Sequence, residues 1–355
     1  MCDRAVLRPL AFAVPGDLAT PTGGYAYDRR IIAELAALGW SVDIINLGDG
    51  FPNVDAERRA AAGKLLANTP PGVPIVVDGL AFGTLPEAAA SLQTRNPLIA
   101  LVHLPLALEP GLPSPQAEAY RATERMALAC ARRVIVTSAL IARLLIADYA
   151  VPAERIAIAC PGTDPALPAQ GSNDGIVRLL SVGSLVEGKG YDVLVAALAK
   201  LTQLPWQLTV AGDGGRDPHY ASMIRAEIAS QGLLDRIAIL GAVAPERLHM
   251  LYRAADVFVL ASHFESYGMA FAQAIAHGLP VIGTNAGAIP ETVPQDAGIL
   301  VSPSDIAALA QALRRLIEDP QARQLYARGA RAAAARLPSW RDSAALFASA
   351  IEAAA

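Results

Sequence analysis

Short apolar runs alternate with amphipathic segments from the start of the chain. The run Leu7–Val14 has the apolar character of a strand covered on both faces, and a glycine-containing loop follows at Gly16–Gly24. Next, Tyr25–Leu38 has the spacing of an amphipathic helix, which Gly39 ends before a second strand at Ser41–Asn46. This order of strand, loop, helix and strand is the parallel α/β unit, in which ligands bind at the carboxyl ends of the strands.

The same alternation continues through both halves of the chain and predicts two doubly wound α/β domains. In the first half, further strands are predicted at Ile75–Asp78, Leu98–His103, Val134–Val136 and Ile156–Ala159, and further helices at Glu118–Arg132 and Ala139–Tyr149. In the second half, strands are predicted at Val177–Val182, Gln207–Ala211, Ile237–Leu240 and Val257–Leu260, and helices at Tyr191–Leu201, Pro218–Ser230 and Pro245–Ala254.

The segment between the two halves has the composition of a linker. Residues 165–175 (PALPAQGSNDG) are polar, small and rich in proline. We therefore place an N-terminal Rossmann-like domain at residues 1–168 and a C-terminal one at residues 169–335. A C-terminal helix at residues 336–355 is expected to pack back on the first domain. Two domains also fit the length of 355 residues.

The end of the chain predicts further helix. Ser302 is expected to be the N-cap of a helix, with Asp305 as its capping acid. From Gln321 onward the tail is rich in alanine and arginine and is expected to be helical, docked by Trp340 and Phe347.

The stretch Val257–Val293 favours binding of an anion. Its strand leads into a polar loop that contains Glu265, and Gly268 then opens a helix that Gly278 ends. Backbone N–H groups and the positive dipole end at a helix N-terminus favour a group such as phosphate. We therefore expect a nucleotide or a phosphorylated ligand at this loop.

A second loop supplies a cation. The loop Gly183–Gly190 follows a strand, has the backbone freedom to surround a phosphate, and contains Lys189, although a solvated lysine in a turn explains the same pattern. Glu265 and Gln273 are both able to reach one ligand along the helix N-terminus, although Gln273 also fits an ordinary helix position. Two domains with such loops predict a ligand in a cleft between them.

Composition limits the cellular compartment and the classes of partner that are expected for the protein. Hydrophobic residues make up 53% of the chain, but their runs fall short of the roughly 20 apolar residues of a membrane helix. The net charge of −4 gives no basic excess for nucleic acid. Cys2, Cys130 and Cys160 fit neither a disulfide framework nor a zinc site, which favours a reducing cytoplasm. The acids Asp213 and Asp217 do not form a metal motif, so no metal is expected.

Several motifs together resemble the family 4 glycosyltransferases of GT-B fold. Those of the donor site are Phe264–Met269, Gly278–Val281 and Gly287–Glu291, and those elsewhere are Val182–Leu185 with Lys189–Gly190, Ala211–Gly214, Gly23–Gly24 and Val102–Pro105. The fold that this resemblance implies is GT-B, with two Rossmann-like doubly wound α/β domains facing each other across a cleft.

The resemblance implies a retaining, metal-independent transfer of a hexosyl group from a nucleotide-diphosphate sugar, used as co-substrate without a further cofactor. By this resemblance Glu265 contacts the donor sugar, Lys189 stabilises the leaving diphosphate, and His103 lies over the sugar. Other donor-binding residues implied by the family are Gly24, Gly183, Ser184, Gly241, Val243, Ser266, Tyr267, Gly268, Met269 and Gln273, while Gly23 and Gly24 form the acceptor-side loop. The acceptor class, whether saccharide, lipid or small metabolite, stays open.

Two positions depart from the family pattern. The usual second glutamate is Gln273, and the usual arginine five residues before the lysine is Ser184. A neutral hydrogen bond in place of a charged one is expected to weaken ribose binding roughly tenfold. Loss of a donor aimed at developing charge commonly costs about 10²–10³ in rate. Arg216 is a candidate to compensate for the missing arginine, although a solvent-facing side chain also explains it.

These departures keep an alternative open, namely a GT-B protein that binds nucleotide or sugar without efficient transfer. An NAD-dependent oxidoreductase, based on Gly212–Gly215, is disfavoured because the third spaced glycine and the downstream acid are missing. His103 at a strand end also fits a purely structural histidine.

A basic helix face would suit peripheral contact with an anionic lipid surface. Its arginines are Arg121, Arg125, Arg132 and Arg133. Because Glu118 and Glu124 are interspersed among them, a solvated face is favoured.

Overall fold

The computed structural model describes residues 7–109 and 111–355, so Cys2 lies outside the described residues. The chain divides into two compact units, of which the first comprises residues 1–162 and 338–355 and the second residues 163–337. Each unit contains a six-stranded parallel sheet with flanking helices.

The strands and helices follow in alternation. The strands are β1 (Arg8–Val14), β2 (Trp40–Asn46), β3 (Ile75–Asp78), β4 (Leu98–Val102), β5 (Arg133–Val136), β6 (Ile156–Ile158), β7 (Val177–Val182), β8 (Trp206–Ala211), β9 (Ile237–Ile239), β10 (Val257–Val259), β11 (Val281–Thr284) and β12 (Gly298–Val301). The helices are α1 (Gly23–Ala37), α2 (Ala56–Ala67), α3 (Gly79–Phe82), α4 (Pro86–Leu92), α5 (Ser114–Ala129), α6 (Ala139–Tyr149), α7 (Tyr191–Ala199), α8 (Pro218–Ser230), α9 (Pro245–Ala254), α10 (Met269–Ala276), α11 (Ile289–Thr292), α12 (Ile306–Glu318), α13 (Pro320–Ala334) and α14 (Trp340–Glu352).

The first unit has the strand order β2-β1-β3-β4-β5-β6, with every pair parallel. Its inner strand β4 is apolar and buried along its whole length, because helices cover both faces of such a sheet. The C-terminal helix α14 belongs to this unit and packs on α1. Its Trp340 and Phe347 are buried, and the Phe347 ring stacks on Phe12 of β1 at 6.2 Å.

The second unit has the strand order β12-β11-β10-β7-β8-β9, again with every pair parallel. One continuous apolar core includes Phe258 of β10 and Phe271 of α10, whose rings meet edge to face at 5.3 Å. This packing fixes α10 against β10, so both ends of the loop that connects them are held in place.

Helix ends differ from the sequence predictions where a side chain caps the backbone. Gly23 and Gly24 are the first two residues of α1 instead of loop residues, because the Thr22 hydroxyl accepts from Tyr25 N and caps the helix there. The prediction of Ser302 as an N-cap was wrong. Asp305 is the N-cap of α12, and its carboxylate accepts from Ala308 N at 2.9 Å.

The tail is helical, as its composition suggested, and it is divided into two helices. Helix α13 ends at Ala334, and a new helix begins after Ser339. Pro338 has no N–H to continue a helical ladder, and Ser339 with Asp342 forms a capping box that starts α14. Among the described residues, no helix combines the length and apolarity that crossing a membrane requires.

Candidate active site

The strand orders place the candidate sites at two switch points. In the first unit the chain runs outward from β1 to β2 and then returns to β3, so the reversal lies between β1 and β3. In the second unit it runs outward from β7 to β9 and then returns to β10, so the reversal lies between β7 and β10. Loops at the carboxyl ends of such neighbouring strands diverge and leave a crevice for a ligand.

The switch point of the second unit brings Lys189 and Glu265 together. Lys189 Nζ donates to Glu265 Oε1 at 2.6 Å, and the Ser262 hydroxyl donates to the same oxygen at 2.6 Å. The two charged side chains are 27% and 13% exposed, so both remain accessible at one spot. Lys189 comes from the loop after β7, whereas Glu265 and Ser262 come from the loop after β10.

Close backbone approaches lock these loops together. Gly190 has φ 63°, and a Cβ there would lie 2.1 Å from Ala261 O, so only glycine fits between the two loops. His263 N also donates to Gly188 O at 2.9 Å. On the other side of Glu265, Ala288 N donates to its carbonyl at 2.8 Å. Contacts between the backbones of these loops therefore fix the positions of Lys189 and Glu265 relative to each other.

The loop after β7 also packs on the loop after β8. A Cβ on Gly212 would lie 1.8 Å from Gly183 O, and Leu185 N donates to Asp213 O at 2.8 Å. Gly212 N in turn donates to Gly241 O at 2.9 Å. Gly212, one of the glycines that suggested an oxidoreductase, is thus required for the packing between these two loops.

The remaining donor-site predictions fall in the same unit. Gly268 has φ 92° and immediately precedes α10, so Met269 is the first residue of that helix. Ser266 and Tyr267 lie in the loop before it, Ser184 is half-buried beside Gly183, and Gly241 and Val243 follow β9. Gln273 lies in α10, and its Nε2 is buried without a hydrogen-bond partner among the described residues.

In the first unit, Gly24 at the start of α1 lies close to His103 at the end of β4. A Cβ built on Gly24 would lie 3.5 Å from His103 Cδ2, which is ordinary van der Waals contact. His103 directly follows β4, its side chain is 20% exposed, and its ring packs edge to face on Tyr27 at 5.2 Å. Gly23 begins the same helix as Gly24.

Two buried acids that the sequence analysis missed lie beside His103. His103 Nε2 is 3.1 Å from Asp28 Oδ1 and 3.7 Å from Asp78 Oδ2, and both acids are almost fully buried. The signals were present, since Asp28 falls on the buried stripe of α1 with Ile31 and Leu35, and Asp78 ends an apolar strand. The three donor atoms lie within 4.8 Å of one another, a spacing that suits a shared proton or a small cation.

Burial and charge shift the protonation of this group. Burial, together with the neighbouring Asp28, raises the pKa of Asp78 to about 7. Burial opposes a charged His103, but the charge and hydrogen bond of Asp28, assisted by Asp78, outweigh it, so the pKa of His103 is raised above its ordinary value. The expectation of no metal rested on Asp213 and Asp217 and did not consider these three side chains.

Two family models match the chain. Residues 166–333 match the model of glycosyl transferases group 1, and residues 55–167 match the model of glycosyltransferase family 4. The two matched segments overlap at residues 166–167 and together include the linker, Lys189, Glu265 and His103.

Known proteins agree with this assignment. A D-inositol 3-phosphate glycosyltransferase of Xylanimonas cellulosilytica is 32% identical over 257 residues, which are 67% of this chain and 61% of that relative. The aligned part thus spans less than two thirds of the relative's length. Sucrose-phosphate synthase from Thermosynechococcus elongatus superposes with a TM-score of 0.80 at 24% identity, covering 96% of this chain and 98% of that one. Anabaena HepE, solved with UDP and glucose, gives a TM-score of 0.74 at 19% identity, covering 96% and 99%.

The two Rossmann-like units, the order of their strands and the matches across both of them agree with one another. The chain belongs to the family 4 (group 1) glycosyltransferases and has the GT-B fold.

Proposed function

We propose that this protein transfers a hexosyl group from a nucleotide-diphosphate sugar to a hydroxyl group of an acceptor. The observation that carries the proposal is the Lys189–Glu265 pair at the switch point between β7 and β10, where glycine-built loops hold both charges at one accessible spot. A cation suits the diphosphate, and a carboxylate suits sugar hydroxyls, so this pair matches the two halves of such a donor.

The proposed reaction retains the configuration of the anomeric carbon. The bond between that carbon and the diphosphate oxygen breaks, and a bond from the acceptor oxygen forms on the same face. The acceptor proton moves to the departing phosphate oxygen, so no protein base and no metal ion are required. Lys189 stabilises the charge that develops on the diphosphate, and Glu265 holds the sugar hydroxyls. Helix α10 adds the backbone N–H groups of its first turn, which begins at Met269.

The relatives support a nucleotide-sugar donor. Anabaena HepE was solved with UDP-glucose as well as with UDP and glucose. The contacts that we assign to Gly24, His103, Gly241 and Val243 toward this donor rest on the family resemblance and stay predictions. The acceptor class also stays open, since one relative is named a D-inositol 3-phosphate glycosyltransferase and one structural neighbour a sucrose-phosphate synthase.

A protein that binds a donor without transferring sugar is not favoured. Ser184 and Gln273 were the reasons to consider it, but both departures leave the Lys189–Glu265 pair in place. Ser184 retains a hydroxyl donor, and Gln273 retains an amide with hydrogen-bonding capacity that the described residues do not use.

Mass spectrometry of nucleotide-sugars retained by the purified protein identifies candidate donors. Each donor found, and a panel of UDP-, GDP- and ADP-sugars, is then incubated with saccharide, lipid and polyol acceptors, and release of nucleoside diphosphate is measured. Transfer with one donor supports the proposal, and NMR of the product's anomeric carbon tests retention. Tight donor binding without transfer to any acceptor class contradicts it in favour of a binding protein.

A further inference from the structure

A buried pair of carboxyl groups lies beneath His103 in the first unit. Asp28 is on helix α1, Asp78 ends β3, and His103 follows β4. One helix and the carboxyl ends of two adjacent strands therefore meet at this point. The Asp28 and Asp78 side chains are 0% and 2% exposed, whereas the His103 side chain is 20% exposed. The histidine thus covers two acids that solvent does not reach.

The contacts leave the ring of His103 little freedom. Nε2 faces Asp28 Oδ1 at 3.1 Å and Asp78 Oδ2 at 3.7 Å, and one face of the ring lies against Gly24. The ring also makes a T-shaped contact with Tyr27, whose hydroxyl donates to Ala159 O at 2.9 Å. The inward nitrogen is therefore the hydrogen-bonding one toward the acids, and the exposed part of the ring is free for a ligand.

Charge balance favours a proton in this group over a bound cation. Two carboxyl groups this close and this buried do not both ionise readily, and the pKa of Asp78 is raised to about 7 by burial and by Asp28. Asp28 Oδ2 is buried and accepts no hydrogen bond from an N–H or hydroxyl group of the described residues, which leaves it available to a proton held by Asp78. A metal ion would require an unprotonated Nε2, whereas the raised pKa of His103 favours the protonated ring.

Two tyrosines beside the cluster are neutral near pH 7. Tyr25 faces both acids, and its pKa is raised to about 12 by burial and then by Asp78 and Asp28. Tyr27 is fully buried, and its pKa is raised by burial and by Asp28. The charges that act on His103 are thus those of Asp28 and Asp78.

We propose that Asp28 and Asp78 are positioning residues for His103: Asp28 fixes the ring through Nε2–H, Asp78 shares a proton with Asp28, and the pair keeps His103 a cation. This deepens the proposed function and rests on it only for the consequence in catalysis. There, the cationic ring presents a fixed positive charge and an Nδ1–H donor to an oxygen of the bound sugar donor. His103 is the residue that touches the ligand, and the two acids act through it.

NMR of histidine-labelled protein tests the assignment without any substrate. The chain has five histidines, and His103→Gln identifies the signal of His103. The titration midpoint of His103 is expected above the ordinary value of about 6.5. Asp28→Asn is expected to lower this midpoint more than Asp78→Asn, because Asp28 makes the closer contact and Asp78 is partly protonated. Asp43→Asn, an exposed acid on β2, is the matched control and is expected to leave it unchanged.

A His103 midpoint at or below the ordinary value in the unmodified protein overturns the proposal, even if the variants fail to fold. One equivalent of divalent metal retained through dialysis, with loss of the His103 titration, overturns it as well.

Transfer kinetics give the second readout. Asp28→Asn is expected to lower kcat by about 10²-fold with a smaller change in KM, and to move the alkaline fall of activity to lower pH. A uniform loss at all pH values, with the His103 midpoint unchanged, indicates a merely structural role. If no donor is transferred by the unmodified protein, the proposed function fails while the NMR result still decides the role of the acids.

Discussion

Replacement of Gly24 by alanine is expected to affect sugar transfer without destabilising the protein. Gly24 is the second residue of α1, and a Cβ added there would lie 3.5 Å from His103 Cδ2, its nearest neighbour outside the helix. That distance is ordinary contact, so Gly24→Ala needs no rearrangement of the protein. Because alanine in a helix is favoured over glycine by about 0.5–1 kcal/mol, the free energy of unfolding is expected to stay the same or rise slightly.

The same methyl group is expected to interfere with the sugar donor. If the diphosphate approaches Gly24 closely, as the family resemblance implies, a methyl group occupies its space. Overpacking of one methyl group typically costs about 1–3 kcal/mol, which corresponds to a loss of roughly 5- to 150-fold in kcat/KM. We therefore expect the Gly24→Ala protein to be stable but impaired in sugar transfer.

Urea unfolding and steady-state transfer kinetics of Gly24→Ala measure the two effects. Gly212→Ala is the matched contrast, since a Cβ there would lie 1.8 Å from Gly183 O and is expected to destabilise the second unit. Unchanged kcat/KM in a stable Gly24→Ala protein refutes the close approach of the donor. A strongly destabilised Gly24→Ala protein refutes the argument from the space around the glycine.

Two further variants test other parts of the account. Burial raises the pKa of Glu124 to about 8, so the folded state prefers its protonated form and the unmodified protein loses stability as pH rises from about 4.5 through 8. Glu124→Gln removes this loss, and its unfolding free energy is expected to exceed that of the unmodified protein by a few kcal/mol at pH 9 and by much less at pH 4; equal differences at both pH values contradict the reasoning. Ser184→Arg restores a cation in the loop after β7 and is expected to raise kcat about tenfold in the transfer assay, whereas a fall in kcat with unchanged stability indicates that the serine is required.

The sequence predicted the buried inner strands best, because a strand covered on both faces is apolar along its length. The runs at Leu98–Val102 and Val257–Val259 are apolar throughout and are buried throughout. The strand β12 was not predicted. Helix boundaries were less accessible, since they depend on which side chain turns back to the backbone. Thr22 and Asp305 cap their helices, while Ser302 does not, and nothing in the spacing alone distinguishes these choices.

Some residues of the candidate site were also predictable from local sequence, whereas others were not. Lys189 and Glu265 were selected from local loops and from the family resemblance, but their direct contact depends on β7 and β10 being neighbours. Asp28 and Asp78 were missed because their chemistry arises only where helix α1 and the carboxyl ends of β3 and β4 meet, and both acids are distant in sequence from His103. The local signs were an acid on the buried stripe of α1 for Asp28 and an acid at the end of an apolar strand for Asp78.

The central claim is that Lys189 stabilises the leaving diphosphate during sugar transfer. Single-turnover transfer by Lys189→Met, with Lys200→Met as the control, tests it most directly, since Lys200 lies at the exposed end of α7. We predict that Lys189→Met lowers the rate by about 10²–10³ while Lys200→Met leaves it unchanged. A folded Lys189→Met protein that transfers sugar at the rate of the unmodified protein would contradict the account.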